Sequence, residues 1–254
     1  MTAALDLTFG KLPAKRDGRT LKALDYALDL TTPASYLLRR QDLYQPIRQG
    51  RWPLATLAAA AALGQRFHFA VVHHVVVVRY NKRGEPLDLL QSYQKLRQPG
   101  GGAYVLDTLK LWQREGIWLG KDPRFRHGLL AYAAVRPILP DLRRAIYCYK
   151  VAYLGVAVTD VLLAAAAGET VDTNRHERRL GAHAFAVVGY DYDGLYCAPG
   201  WPGYKSHHLA WSYIGRHADE AYAVVDRRNS LGAKVDLARL VADVRRVRGE
   251  GGPA

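Results

Sequence analysis

The chain has 254 residues, 49% of them hydrophobic and 23% charged, enough apolar material for one large core or two lobes and too much for a disordered polypeptide. Lys and Arg outnumber Asp and Glu by 36 to 23, a net charge of +13 that favours polyanions or acidic protein partners. The arginine pairs Arg39-Arg40, Arg143-Arg144, Arg178-Arg179, Arg227-Arg228 and Arg245-Arg246 are scattered, with no tract of interleaved Arg and aromatic residues, so a solvated surface outranks a nucleic-acid groove.

Residues 1 to about 48 hold Pro13, Pro33 and Pro46 and little periodicity, and they read as an extended N-terminal arm with one short helix near Leu21 to Leu30. Charge at Asp6, Lys11, Lys15 and Arg16 interrupts any secretory apolar segment, and the apolar runs Leu54 to Gly64 and Val151 to Val158 are shorter than the ~20 residues of a membrane span. The reading is an intracellular protein of the bacterial cytoplasm or a virion protein, not inserted in a membrane and not secreted through a signal peptide.

Pro53 opens an alanine-rich central helix over 53–66, apolar on every side and therefore central. Residues 68–80, rich in valine, read as a strand. Leu106, Leu109 and Leu111-Trp112 followed by Gly116 describe an amphipathic helix and its stop, and Pro140-Asp141 starts another. Then the register changes: 150–158 reads as a buried strand, 180–191 and 194–199 as a strand pair turning at Asp193-Gly194, and 219–225 as a last strand. A C-terminal helix over about 235–248 carries Leu237, Leu240, Val241 and Val244 at helical spacing. The segregation predicts an α+β fold with a helical lobe over about 49–150 and a β-lobe over about 151–226, meeting at a cleft.

Two segments bear on function. Gln49-Gly50 is followed six residues after the glutamine by Ala55, at the head of the central helix, and His183 begins the run His-Ala-Phe-Ala-Val-Val-Gly189-Tyr190, with Pro199-Gly200-Trp201 downstream. Each resembles one half of the active site of papain-like cysteine peptidases. There a Gln-Gly precedes the cysteine that starts the central helix, a strand reads His-Ala-x-x-x-Val-Gly-Tyr, and an Asn-Ser-Trp ends the next. The resemblance implies the two-lobed papain-like fold, with Gln49 at the oxyanion donor, Ala55 at the nucleophile, His183 at the base, Pro199 at the orienting asparagine and Trp201 at the tryptophan.

In such a site a thiol in a helix's first turn is held as thiolate by the helix N-terminus and an imidazolium, while glutamine and a backbone N–H stabilise the oxyanion. A methyl group at 55 cannot attack a carbonyl, and Pro199 has no amide with which to hold the ring. Two explanations compete: a natural pseudopeptidase, or a peptidase or amide hydrolase inactivated by an engineered change of Cys to Ala55. Pro199, and Leu54 in place of the usual small residue, favour the first, because an inactivating substitution would leave the asparagine. The whole chain also resembles uncharacterised papain-like proteins of bacterial and phage genomes, in TFGKLPAKRDGRTLKALDY, LDTLKLWQREGI, HAFAVVGYDYDGL and DEAYAVV.

The expectation is therefore a binding or structural component with a protein or peptide partner, virion proteins among the candidates, held by strand addition along the cleft. A basic nucleic-acid-associated protein is the reading that rests on charge alone. Blander roles stay open for the same residues: His183 as a buried strand histidine and Gln49 as a loop tie. His73-His74 and His207-His208 would point to opposite strand faces, so neither pair chelates as a pair, and no cofactor or metal is implied. Thr56 lies about 100° around the helix from Ala55, turned from the cleft. Cys148 and Cys197 are too few for a disulfide framework and read as packing residues.

Overall fold

The structure is a computed structural model that describes residues 10–28, 31–37, 53–72, 82, 86–118, 126–166, 168–198, 207–226 and 234–249. The chain is α+β, with one large, mainly antiparallel sheet and helices on both of its faces. The strands of that sheet are β1 (Tyr36–Leu37), β4 (Leu129–Val135), β5 (Ala152–Thr159), β6 (Thr170–Val171), β7 (Arg179–Tyr190), β8 (Gly194–Ala198), β9 (His207–Ala210) and β10 (Ala218–Asp226). They run in the order β4-β10-β5-β7-β8-β9-β6, with β1 on β7 and a single parallel pair, β6 with β9, among the described strands. A separate hairpin joins β2 (Ile117–Trp118) to β3 (Arg126–His127).

Strand alternation sorts the core into two layers. On one face Leu154, Val156, Phe185 and Val187 pack with the helix α4 (Leu139–Tyr149), with Leu162 of the short α5 (Asp160–Ala164), with α6 (Trp211–His217) and with Leu240 of α7 (Leu237–Arg248). On the other, Tyr153, Ala184, Ala186, Tyr222 and Val224 meet the helices α1 (Ala55–Val72), α2 (Leu87–Leu96) and α3 (Val105–Arg114). Period-two alternation with apolar residues on both faces is what a sheet covered on both sides requires. Among the described residues no helix is long and apolar enough to cross a membrane.

The central helix is buried all round from Leu54 to Leu63, in keeping with its uniform apolarity. It is longer than the sequence pattern indicates. The segment from His68 to Val72, read above as strand, continues α1, because an established helix extends one bond per residue and β-branched residues oppose that only weakly. Residues 73–81 lie outside the described residues. The helix expected near Leu21 to Leu30 contracts to one 3₁₀ turn, Ala23–Asp25. Two helix signals hold: Gly116 stops α3 at φ +79° and Pro140 sits in the first turn of α4; α7 begins at a cap that the sequence reading did not name, Asp236, which accepts from the Arg239 N–H at 3.0 Å.

Two buried polar networks fix corners of the sheet. Trp112 Nε1–H donates to His127 Nδ1 at 3.1 Å, and His127 Nε2 lies 2.8 Å from Asp226 Oδ2, so the indole sets the tautomer that faces the carboxylate. His208 Nε2 lies 3.0 Å from Asp191 Oδ1 and its Nδ1 lies 2.9 Å from Thr170 Oγ1, tying β6 and β9 to the turn before β8. The same turn is closed by the Asp191 carboxylate, which accepts from the N–H groups of Asp193 and Gly194, both at 2.9 Å.

Candidate functional site

Ala55 is the first residue of α1 and has no exposed surface. The helix starts there because Pro53 cannot donate a backbone bond and the Leu54 carbonyl already accepts from Ala58 N–H at 2.8 Å. α1 lies against β7 because Ala184 and Ala186, small residues, face it. His183 follows the alternation of β7 onto the other face, opposite Val156 of β5, fully buried with its ring edge-on to Phe185 at 5.0 Å between centroids. The structure thus packs α1 on the histidine strand but turns the His183 ring onto the opposite face of the sheet, away from the face that meets α1. Gln49, Pro199 and Trp201 lie outside the described residues.

The chain's own N-terminal arm packs between Pro53 before α1, the segment before α3, and β7. Gly10 lies on Pro53 so closely that a Cβ would stand 2.0 Å from the Pro53 carbonyl oxygen, and this position therefore excludes any side chain. The Gly10 carbonyl accepts from Ala103 N–H at 2.9 Å, and Leu12 N–H donates to the Ala103 carbonyl at 3.1 Å, a parallel bridge to the segment that precedes α3. Lys11 N–H points the other way, to the carbonyl of Ala182 beside His183, at 3.4 Å. Residues 10–12 therefore make the backbone contacts that strand addition would offer to another chain.

Lys11 anchors this strap. Its side chain has no exposed surface, and its ammonium lies 2.7 Å from Asp219 Oδ2 and 3.0 Å from Glu220 Oε1 of β10 and donates to the Leu12 carbonyl at 3.0 Å. The stem passes over Gly155 of β5, where a Cβ would meet Lys11 Cε at 2.2 Å. Burial raises the Glu220 carboxyl above its ordinary range against the opposing pull of the Lys11 charge, and Tyr222 O–H donates to it at 3.1 Å.

None of these groups is an activated nucleophile. Ala55 offers a methyl. Thr56 Oγ1 is buried and, among the described residues, has no hydrogen-bond partner to deprotonate it, while the Thr56 carbonyl accepts from the Tyr153 hydroxyl. Cys148 and Cys197 are buried in the sheet core and burial pushes both thiols up, which suits packing residues. Sequence reasoning missed Lys11, Asp219 and Glu220. Its one available signal was Gly155, a glycine inside an otherwise apolar strand, which marks close approach of another part of the chain.

No protein-family model and no curated protein sequence matches the chain. Solved structures do. Xylellain, a cysteine protease from Xylella fastidiosa, superposes with a TM-score of 0.69 at 16% identity, over 89% of this chain and 98% of that one. The procathepsin B S9 of Trypanosoma congolense gives 0.62 at 14%, over 88% and 87%. The Carica candamarcensis cysteine protease CMS1MS2, solved in complex with E-64, gives 0.53 at 14%, over 76% and 98%. The fold is that of the papain-like cysteine proteases, and at these identities the likeness establishes the fold alone.

Proposed function

We propose that the chain is a catalytically inactive papain-like domain, a pseudopeptidase that serves binding or assembly. The observation that carries this reading is the methyl side chain of Ala55 at the first residue of the central helix, the position from which this architecture presents its nucleophile. Pro199, in place of an amide that would hold the imidazole, supports it from the sequence. The partner is a protein segment in extended conformation that takes over the backbone groups of Ala103 and Ala182 when residues 10–12 leave them. The likeness of the chain to phage and bacterial papain-like proteins favours a structural or accessory component, with virion proteins among the candidate partners.

The test is hydrolysis of a panel of fluorogenic peptide and amide substrates by the protein and by His183→Ala. The expected result is no turnover above buffer for either. Turnover that His183→Ala abolishes would overturn the reading. Ala55→Cys should restore little, since loss of the orienting group alone lowers kcat by roughly 10⁴ in an unrelated triad.

A further inference from the structure

Four segments distant in sequence line a second concavity, of about 480 Å³: the arm at 17–21, α3, β4 and the C-terminal half of α7. It lies at the β4 edge of the sheet, separated from β7 by β10 and β5, roughly 14 Å at ~4.8 Å per strand. The volume falls in the range of ~300–1,000 Å³ typical of small-ligand clefts.

Its lining is strongly cationic. Arg19, Lys110, Arg114 and Arg248 face it, against the single carboxylate of Asp17. That carboxylate accepts from Lys110 Nζ at 2.8 Å and from Arg19 Nε at 3.3 Å, which holds it well below the usual carboxylate range. Four cationic side chains and one carboxylate thus line one concavity, two of the cations engaged by that carboxylate. Arg114 also pairs with Glu115 at 2.7 Å, outside the lining, and its side chain is 73% exposed.

The remaining lining is mixed, with Thr20 and Gln113 beside Leu21, Tyr132, Val244 and Val247. The Tyr132 ring is fixed edge-on to Tyr222 at 6.4 Å between centroids, and Val244 of α7 faces the same space. Guanidinium groups bind phosphate through paired N–H donors, and an aromatic face accepts a flat body beside them.

We propose that this cavity is a binding site for a small phosphate ester, its phosphate held by Arg19, Lys110, Arg114 and Arg248 and its apolar body lying on Tyr132. A concave site of this size takes a small molecule. An extended polyanion requires an open basic track instead.

Isothermal titration with phenyl phosphate, inorganic phosphate and phenol at ~50 mM salt tests it, with the full chain and with Arg114→Gln/Arg248→Gln, whose folding is checked by thermal melting. Phenyl phosphate should bind with Kd below ~1 mM. It should bind at least about tenfold tighter than either fragment, and the double variant should weaken it by about tenfold or more at unchanged melting temperature. Absence of phenyl phosphate binding up to ~10 mM, or equal affinity in the variant, overturns the proposal. So does duplex DNA binding that phenyl phosphate fails to displace and the double variant abolishes, which would assign these arginines to a nucleic-acid surface.

Discussion

Replacing Lys11 by methionine keeps the apolar stem over Gly155 and removes the ammonium from two carboxylates. Removing one partner of a buried ion pair destabilises by ~3–5 kcal/mol, because the other charge is left without compensation. Two features lower that figure here. Asp219 is 34% exposed and keeps its hydration, and Glu220 can take up a proton. Neutralising Glu220 costs about 1.4 kcal/mol per pH unit above its ordinary value of 4.5, or ~3 kcal/mol at pH 7, and this sets the ceiling.

The pH dependence follows with a definite sign. In Lys11→Met the folded chain retains a Glu220 proton that the unfolded chain releases above 4.5, so the folded state binds more protons and the variant loses stability as pH rises. Equilibrium urea unfolding of both proteins should give a deficit of at most ~3 kcal/mol at pH 7, since burial already raises Glu220 in the parent, and one that shrinks to ~1 kcal/mol or less at pH 5. Equal deficits at the two pH values would mean that only packing was lost. No deficit at pH 7 would refute the burial of the ammonium against β10, and with it the strap.

Three further outcomes are expected. Gly10→Ala places a methyl 2.0 Å from the rigid Pro53 carbonyl, so the arm must lift; it should lose ~1–3 kcal/mol in urea unfolding, and trypsin should cut after the otherwise buried Lys11 faster than in the parent. Native protein at pH 8 should leave Cys148 and Cys197 unreacted with iodoacetamide, and the added thiol of Ala55→Cys, at a position with no exposed surface, should react appreciably only when Lys11→Met is also present. Burial pulls His207 down to about 4 from an ordinary 6.5, so its contribution is complete above pH 6.5 and is lost as pH falls toward 4, up to ~3 kcal/mol; His207→Leu should flatten that part of the stability profile measured by urea unfolding.

The elements that could be read from the chain are those whose signal is local. Pro140 and Gly116 act within a turn of themselves, and α4 begins and α3 ends where these residues stand, while α7 was read from its apolar spacing. The strand pair around Asp193-Gly194 is equally local, closed by Asp191 two and three residues away. The valine-rich run after residue 67 fails this condition. Its β propensity is a weak preference, overridden where the segment continues a helix already formed by the alanine-rich run before it.

The site divides along the same line. Ala55 and His183 were picked out because each sits in a short motif, and the small residues Ala184 and Ala186 that let α1 approach lie inside the second; the motif did not show that the His183 ring lies on the sheet face opposite to α1. Lys11 was not legible, since its acceptor Asp219 stands 208 residues away and nothing in either neighbourhood announces the other. Yet the requirement left a trace on both sides of the contact. Gly10 has no room for a Cβ against Pro53, and Gly155 has none beneath the Lys11 stem, so a path for the arm between helix and sheet is written as two missing side chains. A glycine within a buried strand weakens it, and such a residue persists where another part of the chain must come within van der Waals distance of the backbone. Here that part of the chain is the arm, which is why Gly10, Lys11 and Gly155 should respond to substitution as one unit: Gly155→Ala should be less harmful in a Lys11→Ala background than alone, whereas independent effects would mean that the stem does not pass over β5.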